Sequence, residues 1–219
     1  PLPASSSASD VYKRQVHVIG AGLNQERPAH RAFSDMKGRG YRMVPIHPRD
    51  AGSTIQGAPI LPHPWASDNP ELFVIFLSPE RTLGLLRKWV IADRKIPFIW
   101  LQPGAESDDV LEFLSEAGIP HSFGKCWVVT CIQNDISCED PLPNLPWAIQ
   151  TTSTDGDQCS VWRYFPPGTD LKLDGPLEWV GDLMDLRSSD ERIPRYVRSL
   201  CQDGESLAET AQRLAIPPN

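Results

Sequence analysis

Residues 16–22 read Val16-His17-Val18-Ile19-Gly20-Ala21-Gly22 and run on through Leu23-Asn24-Gln25-Glu26-Arg27-Pro28-Ala29-His30-Arg31. Four β-favouring residues lead into a Gly-x-Gly turn, and Pro28 stands where the first turn of a helix tolerates proline. A strand, a tight glycine turn and a helix N-terminus together make an anion site: glycine lets the backbone approach a ligand, and free N–H groups face it. Gly20 and Gly22 are therefore read as a phosphate turn, with Gly22 expected at a positive φ. The same turn also builds ordinary βα connections, so it does not settle the ligand.

Working outward, Ala29 to Lys37 reads as the first helix, ended by Gly38 and Gly40. Tyr41 to Ile46 is the second strand, closed by His47-Pro48, and Arg49 to Asn69 is a Pro- and Gly-rich crossover without periodicity. The continuous apolar run Leu72 to Leu77 fits a central parallel strand. Ser78 is placed to cap the next helix, with Pro79 at its first position and Leu83, Leu86 and Val90 as its buried face. Pro97 to Leu101 is another strand. Ser107 caps a helix whose first turn carries Asp108 and Asp109; Val110, Leu111, Leu114 and Ala117 are its buried face, and Gly118 ends it. Ile119 to Phe123 is the fifth strand, and Trp127 to Ile132 is expected to be a further one. This alternation predicts an α/β, doubly wound parallel sheet of Rossmann type with an irregular C-terminal extension.

Ligands on such sheets sit beyond the carboxyl ends of the strands. Gly20–Gly22, His47-Pro48, Ser78-Pro79 and Gln102–Gly104 all fall there, so four loops are expected to converge on one crevice. Arg27 could pair with a ligand phosphate, His47 stands where a nucleotide's ribose or adenine would lie, and Gln102 could reach the ligand from its loop. His30 reads as a capping or packing residue.

From Gln133 the texture changes. Pro141, Pro143 and Pro146 open a linker, "TTSTDGDQ" (151–158) is a polar turn, and Val161 to Phe165 is one strand. The seven tryptophans call for no cofactor, and several of them, on strands or in the linker, are read as core. The expected organisation is a tail over 1–15, the sheet domain over 16–132, an extension of unnamed fold over 133–195 and a C-terminal segment over 196–219. That segment weakly resembles the front half of a LysM carbohydrate-binding module, a strand followed by Gly-Asp-[Ser/Thr]-Leu and a helix. Leu207, Ala211 and Leu214 would be the helix's buried face. A helix-turn-helix fragment or a plain amphipathic helix would read alike, and a carbohydrate partner would follow only from a complete LysM module.

The 219 residues carry a net charge of −7, which argues against a nucleic-acid or anionic-membrane surface. No apolar run approaches the roughly 18 residues of a membrane span. Five cysteines without a C-x-x-C spacing point away from a disulfide framework or cysteine metal site and toward a reducing, cytoplasmic compartment. The opening "PLPASSSASD" has neither a basic nor an apolar signal region and is set aside from the fold. There is no G-x-S-x-G elbow, no H-E-x-x-H and no P-loop lysine, so no catalytic residue is assigned.

The run "VIGAGLNQERPAHRAFSDMKGRGYRMVPIHP" resembles the start of the small CoA-binding, Rossmann-like domain family, whose pattern is V-V-G-A-S-x-N-x-x-R-P-S-H-R followed by G-Y-x-V-x-P-V-N-P. The matching residues are Gly20, Ala21, Asn24, Arg27, Pro28, His30, Arg31, Gly40, Tyr41, Val44, Pro45 and Pro48. "FIWLQPGAES" (98–107) resembles the family's V-W-L-Q-x-G segment, and Gly124-Lys125-Cys126 its D-R-C segment, so the likeness spans about residues 16–130. Gly22 departs from the family's Ser, His47 from its Asn and Lys125 from its Arg. The resemblance implies CoA as cofactor, bound around Gly20, Ala21, Gly22, Asn24, Arg27, Pro28, His47, Pro48, Ser78, Gln102 and Gly104, with Cys126 near the ligand channel.

A non-enzymatic CoA or acyl-CoA ligand domain is thus expected. An NAD-binding oxidoreductase or redox sensor, and an interaction fragment on a bare scaffold, are the alternatives. Against NAD, a dinucleotide fingerprint needs a third glycine where Gln25 stands and an acidic residue ending the second strand, where the chain has His47. The sequence leaves open whether the protein forms a homodimer.

Overall fold

The computed structural model describes residues 14–67, 70–153, 159–173 and 175–215. Along the chain come β1 (Gln15–Ile19), α1 (Pro28–Asp35), β2 (Arg42–Ile46), β3 (Thr54–Ile55), β4 (Ala58–Pro59), β5 (Leu72–Ile75), α2 (Pro79–Ile91), β6 (Phe98–Leu101) and α3 (Asp108–Glu116). Then follow β7 (His121–Ser122), α4 (Trp127–Gln133), β8 (Trp147–Thr152), β9 (Ser160–Phe165), β10 (Leu177–Asp182), α5 (Leu183–Ser188), α6 (Arg192–Ser199) and α7 (Leu207–Leu214). The chain divides into two units, one of residues 1–44 and 69–142, the other of residues 45–68 and 143–219.

The first unit is a five-stranded parallel sheet in the order β2-β1-β5-β6-β7, the doubly wound Rossmann-like architecture that the alternating pattern implies. Every residue of β1, β5 and β6 is buried, as strands covered on both faces must be. Their register is level: Ile19 lies beside Ile75, and Ile75 beside Leu101. The turns after these three strands therefore leave the sheet from one edge.

Helix α2 buries Thr82, Leu86 and Trp89, while Val90 is exposed. The expected stripe of Leu83, Leu86 and Val90 is thus rotated by one position. Trp89 fixes the rotation by packing edge-on against Phe73, centroids 4.9 Å apart. Ser107 caps α3 as expected, its side chain accepting from the Val110 N–H; Val110 and Leu114 are buried, whereas Ala117 is exposed.

The strand expected over Trp127 to Ile132 is helix α4. Trp127, Val128, Thr130 and Cys131 are buried and Val129 and Ile132 exposed; a run of β-branched residues this short fits either period. Trp127 packs edge-on against Tyr41 at 5.3 Å. The neighbouring Cys131 thiol is pushed up to about 11 by burial, although a hydrogen bond with Tyr41 and the nearby Arg39 pull it down.

His17 is wholly buried in β1 and stacks on Phe73 at 5.6 Å. Its Nε2 lies 3.2 Å from Gln15 Nε2, which can only donate, so the imidazole accepts there and carries its proton on Nδ1. Nδ1 has no hydrogen-bond partner among the described residues. Burial, with the Arg42 charge nearby, lowers the His17 pKa to about 3.

In the second unit, β10, β8 and β9 form an antiparallel sheet in that order. Sequence reading found only its β9, because pairing among the other strands is not a local signal. Ala148, Trp162, Trp179, Leu186, Val197 and Ala211 make its core. Trp162 and Trp179 stack at 5.7 Å, and Trp162 Nε1 donates to the Ala211 carbonyl at 2.9 Å. Leu207 and Leu214 pack against this core beside Ala211, the face expected of α7. The strand that a LysM module needs before this helix is absent, since residues 192–199 form α6.

The stretch read as a structureless crossover is ordered. β3 and β4 pair as a short antiparallel ribbon. The Thr54 N–H donates to the Leu171 carbonyl, the Leu171 N–H to Thr54 Oγ1, the Gly57 N–H to Asp170 Oδ1 and the Leu173 N–H to Ser53 Oγ, all at 2.8–3.0 Å. A side chain at Gly57 would strike the Gly168 backbone, and its φ of +75° favours glycine independently. The opening tail through residue 13, Asp68 and Asn69 at the end of the expected crossover, and residues 154–158 of the expected polar turn lie outside the described residues.

Candidate functional site

Three of the expected loops meet at the edge where β1, β5 and β6 end. The Phe76 N–H donates to the Ile19 carbonyl at 2.9 Å and the Gln102 N–H to the Ile75 carbonyl at 3.1 Å, so the turns leave side by side. Gly20 has φ +99°, and a Cβ there would sit 3.4 Å from Leu77 Cδ2 and from the Phe76 carbonyl oxygen. The left-handed position is thus Gly20 and not Gly22, which corrects the expectation from sequence. Ala21 is fully buried and its N–H reaches the Val18 carbonyl at 3.4 Å.

Gly22 is buried, and its carbonyl accepts a 2.8 Å hydrogen bond from His30 Nδ1. Since a carbonyl can only accept, His30 carries a proton on Nδ1. A helix side chain thereby pins the glycine turn, a packing role of the kind expected for His30.

The chain does not pass straight from Gly22 into a helix. Asn24 Oδ1 accepts from the Glu26 N–H at 3.0 Å and the Asn24 carbonyl from the Arg27 N–H at 3.1 Å, a turn that its side chain builds. Arg27 is the N-cap of α1, exposed, with no cap bond from its side chain, and Pro28 is the first helical residue. Gln25 lies exposed in the intervening turn. It therefore does not occupy a helix–strand contact, as the fingerprint argument assumed; Ala29 and Ala32, 3 % and 1 % exposed, are the small residues of α1 buried in this unit.

Ser78 stands at the N-cap of α2 as expected, but its side chain makes no cap bond. Gln102 is 3 % exposed; its carbonyl accepts from the Ala105 N–H at 2.8 Å, while neither Nε2 nor Oε1 has a hydrogen-bond partner among the described residues. Thr82 Oγ1, one turn into α2, is likewise buried and unpaired among the described residues. Gly104 follows at φ +92°, its N–H donating to Glu106 Oε2 at 2.8 Å. Cys126, half-buried, is the N-cap of α4 rather than a strand residue. It is held beside β6 because Trp100 Nε1 donates to the Lys125 carbonyl at 2.8 Å.

His47 and Pro48 follow β2 as expected and belong to the second unit. The His47 N–H donates to the Leu61 carbonyl at 3.0 Å, and its Nδ1 lies 3.0 Å from Asp50 Oδ2. A carboxylate three residues along the chain is therefore against the ring. Sequence reading also missed Thr82, whose burial no pattern signals. Gln102 could be found, but not that its amide would be left unpaired.

A family profile described as a CoA binding domain matches residues 14–131. Among solved structures, a protein from Thermus thermophilus is 25 % identical with a TM-score of 0.51, over 57 % of this chain and 93 % of that one. A conserved hypothetical protein from Pyrococcus furiosus is 28 % identical (TM-score 0.48; 53 % of this chain, 98 % of that one). A hypothetical protein from Pyrococcus horikoshii is 18 % identical (TM-score 0.50; 61 % and 95 %), a likeness of fold alone. Among the described residues, no helix is long and apolar enough to cross a membrane.

Proposed function

Because the chain belongs, over residues 14–131, to the CoA-binding domain family, we propose that it binds CoA or an acyl-CoA and holds it without turning it over. The observation that carries this reading is the pinned glycine turn. Gly20 takes a backbone conformation that disfavours side chains, and His30 fixes the next turn of chain through the Gly22 carbonyl. The backbone at Gly20–Gly22 and the start of α1 would hold the pyrophosphate, and Ser78 and Gln102 would meet the rest of the ligand. Bound CoA supplies a thiol that carries acyl groups. Nothing in these turns resembles a nucleophile with its base, and His30 Nδ1 is committed to a carbonyl, so ligand, sensor or carrier roles fit better than acyl transfer.

A second reading is an NAD-binding protein on the same fold, favoured by the same glycine turn at Gly20, which would hold the pyrophosphate that both ligands share. Titration calorimetry with CoA, acetyl-CoA and NAD at matched salt distinguishes them. CoA is expected to bind at least about tenfold tighter than NAD, a gap of ~1.4 kcal/mol. Equal or reversed affinities would put the NAD reading first, and steady thiol release from acetyl-CoA would overturn the absence of turnover.

A further inference from the structure

The Gln102 backbone is fully used: its N–H is paired with Ile75 and its carbonyl with Ala105. Its side chain is not. With 3 % exposure and neither amide atom paired among the described residues, it holds a buried donor and a buried acceptor at the carboxyl edge of β6. Buried polar groups without partners are uncommon and costly, and this one belongs to the turn after β6, beside the end of β5.

We propose that Gln102 recognises an amide-type group of the ligand, one that offers an acceptor and a donor together. The inference rests on the CoA reading above and adds which chemistry meets β6. A phosphate presents only acceptors at its oxygens; it would satisfy Nε2 and leave Oε1 facing an anion. A carboxamide is matched by groups that both give and take. CoA has two such sources: the amides of its pantetheine arm, and the adenine edge, whose amino group and ring nitrogen pair with glutamine in nucleic-acid recognition.

Gln102→Met keeps the length of the side chain and removes both polar atoms. Calorimetry on the full chain, direct or in competition with CoA, uses four probes: CoA, pantetheine, adenosine 3′,5′-bisphosphate and inorganic pyrophosphate. The variant is expected to lose about tenfold or more in CoA affinity and to bind pyrophosphate as the wild type does. A matching loss for pantetheine assigns the arm, and a matching loss for the bisphosphate assigns adenine. The ligand-free variant should also melt no lower than the wild type, because an unpaired amide has been replaced by an apolar group.

CoA affinity within twofold of wild type, a loss for neither half, an equal loss for pyrophosphate, or a lower ligand-free melting point would each overturn the proposal. Wild-type protein that fails to bind CoA would overturn the functional reading and this inference with it. Wild-type binding with an indifferent variant would overturn this inference alone.

Discussion

His17 makes the pH dependence of stability calculable. In the folded chain its pKa is lowered to about 3, chiefly because the ring is wholly buried and secondly because Arg42 is nearby. Unfolded, it returns to the ordinary value of 6.5. Between these values the unfolded chain binds one more proton than the folded one, so stability is fully present above pH 6.5 and falls as the pH drops toward 3. The loss from this residue alone is about 1.4 kcal/mol at pH 5.5 and about 2 kcal/mol at pH 5.0, with a ceiling near 5 kcal/mol. The perturbation is His17→Leu, followed by equilibrium urea unfolding at pH 7.5, 5.5 and 5.0. The substitution changes stability at every pH through its lost stacking on Phe73 and the lost acceptor for Gln15, so the informative quantity is the difference in pH dependence. Wild type should lose about 2 kcal/mol more than the variant between pH 7.5 and 5.0. Parallel curves would show that His17 is solvated or protonated in the folded state.

Gly20→Ala should destabilise by about 1–2 kcal/mol, the cost of a side chain at positive φ, and weaken CoA at least tenfold; unchanged affinity by calorimetry would make the turn purely structural. His30→Phe should keep the ring's packing, lose the bond to the Gly22 carbonyl, and weaken CoA severalfold with about 1 kcal/mol of stability; an unaltered Kd would separate the pin from the ligand. In native thiol labelling read by intact mass, Cys159 and Cys201, both exposed, should react first and Cys131 last, since burial raises its thiol to about 11. Early labelling of Cys131 would contradict its packing against Tyr41.

The sheet was readable because its signals are local. Leu72 to Ile75 is apolar without a break, and Gly20, Ser107 and Gly118 mark turns and caps by residue type. Helix α4 was misread because Val128 and Val129 favour strands and the run is too short to show a period. The stripe on α2 was misplaced because Thr82 is polar yet buried, while Val90 is apolar yet exposed. Residues 49–67 looked structureless because their partners, Asp170, Leu171 and Leu173, lie more than a hundred positions away and leave no periodic trace. In the candidate site, the residue types at the turns were visible in advance. The committed proton on His30 and the unpaired amide of Gln102 depend on three-dimensional neighbours.

That long-distance stitching also sets a clock on synthesis. Ser53, Thr54 and Gly57 leave the ribosome 113 to 120 residues before the groups they bond, roughly 6–24 s at ordinary rates of translation. For that interval the ribbon of β3 and β4, which carries the buried Ile55, lacks its bonds to residues 170–173. A chain cut after residue 131, where the family match ends, would make that interval permanent. The later half of the chain thus supplies the hydrogen-bond partners of a segment of the earlier one, and a fragment trimmed to the family's own limits would leave Ser53, Thr54 and Gly57 without them.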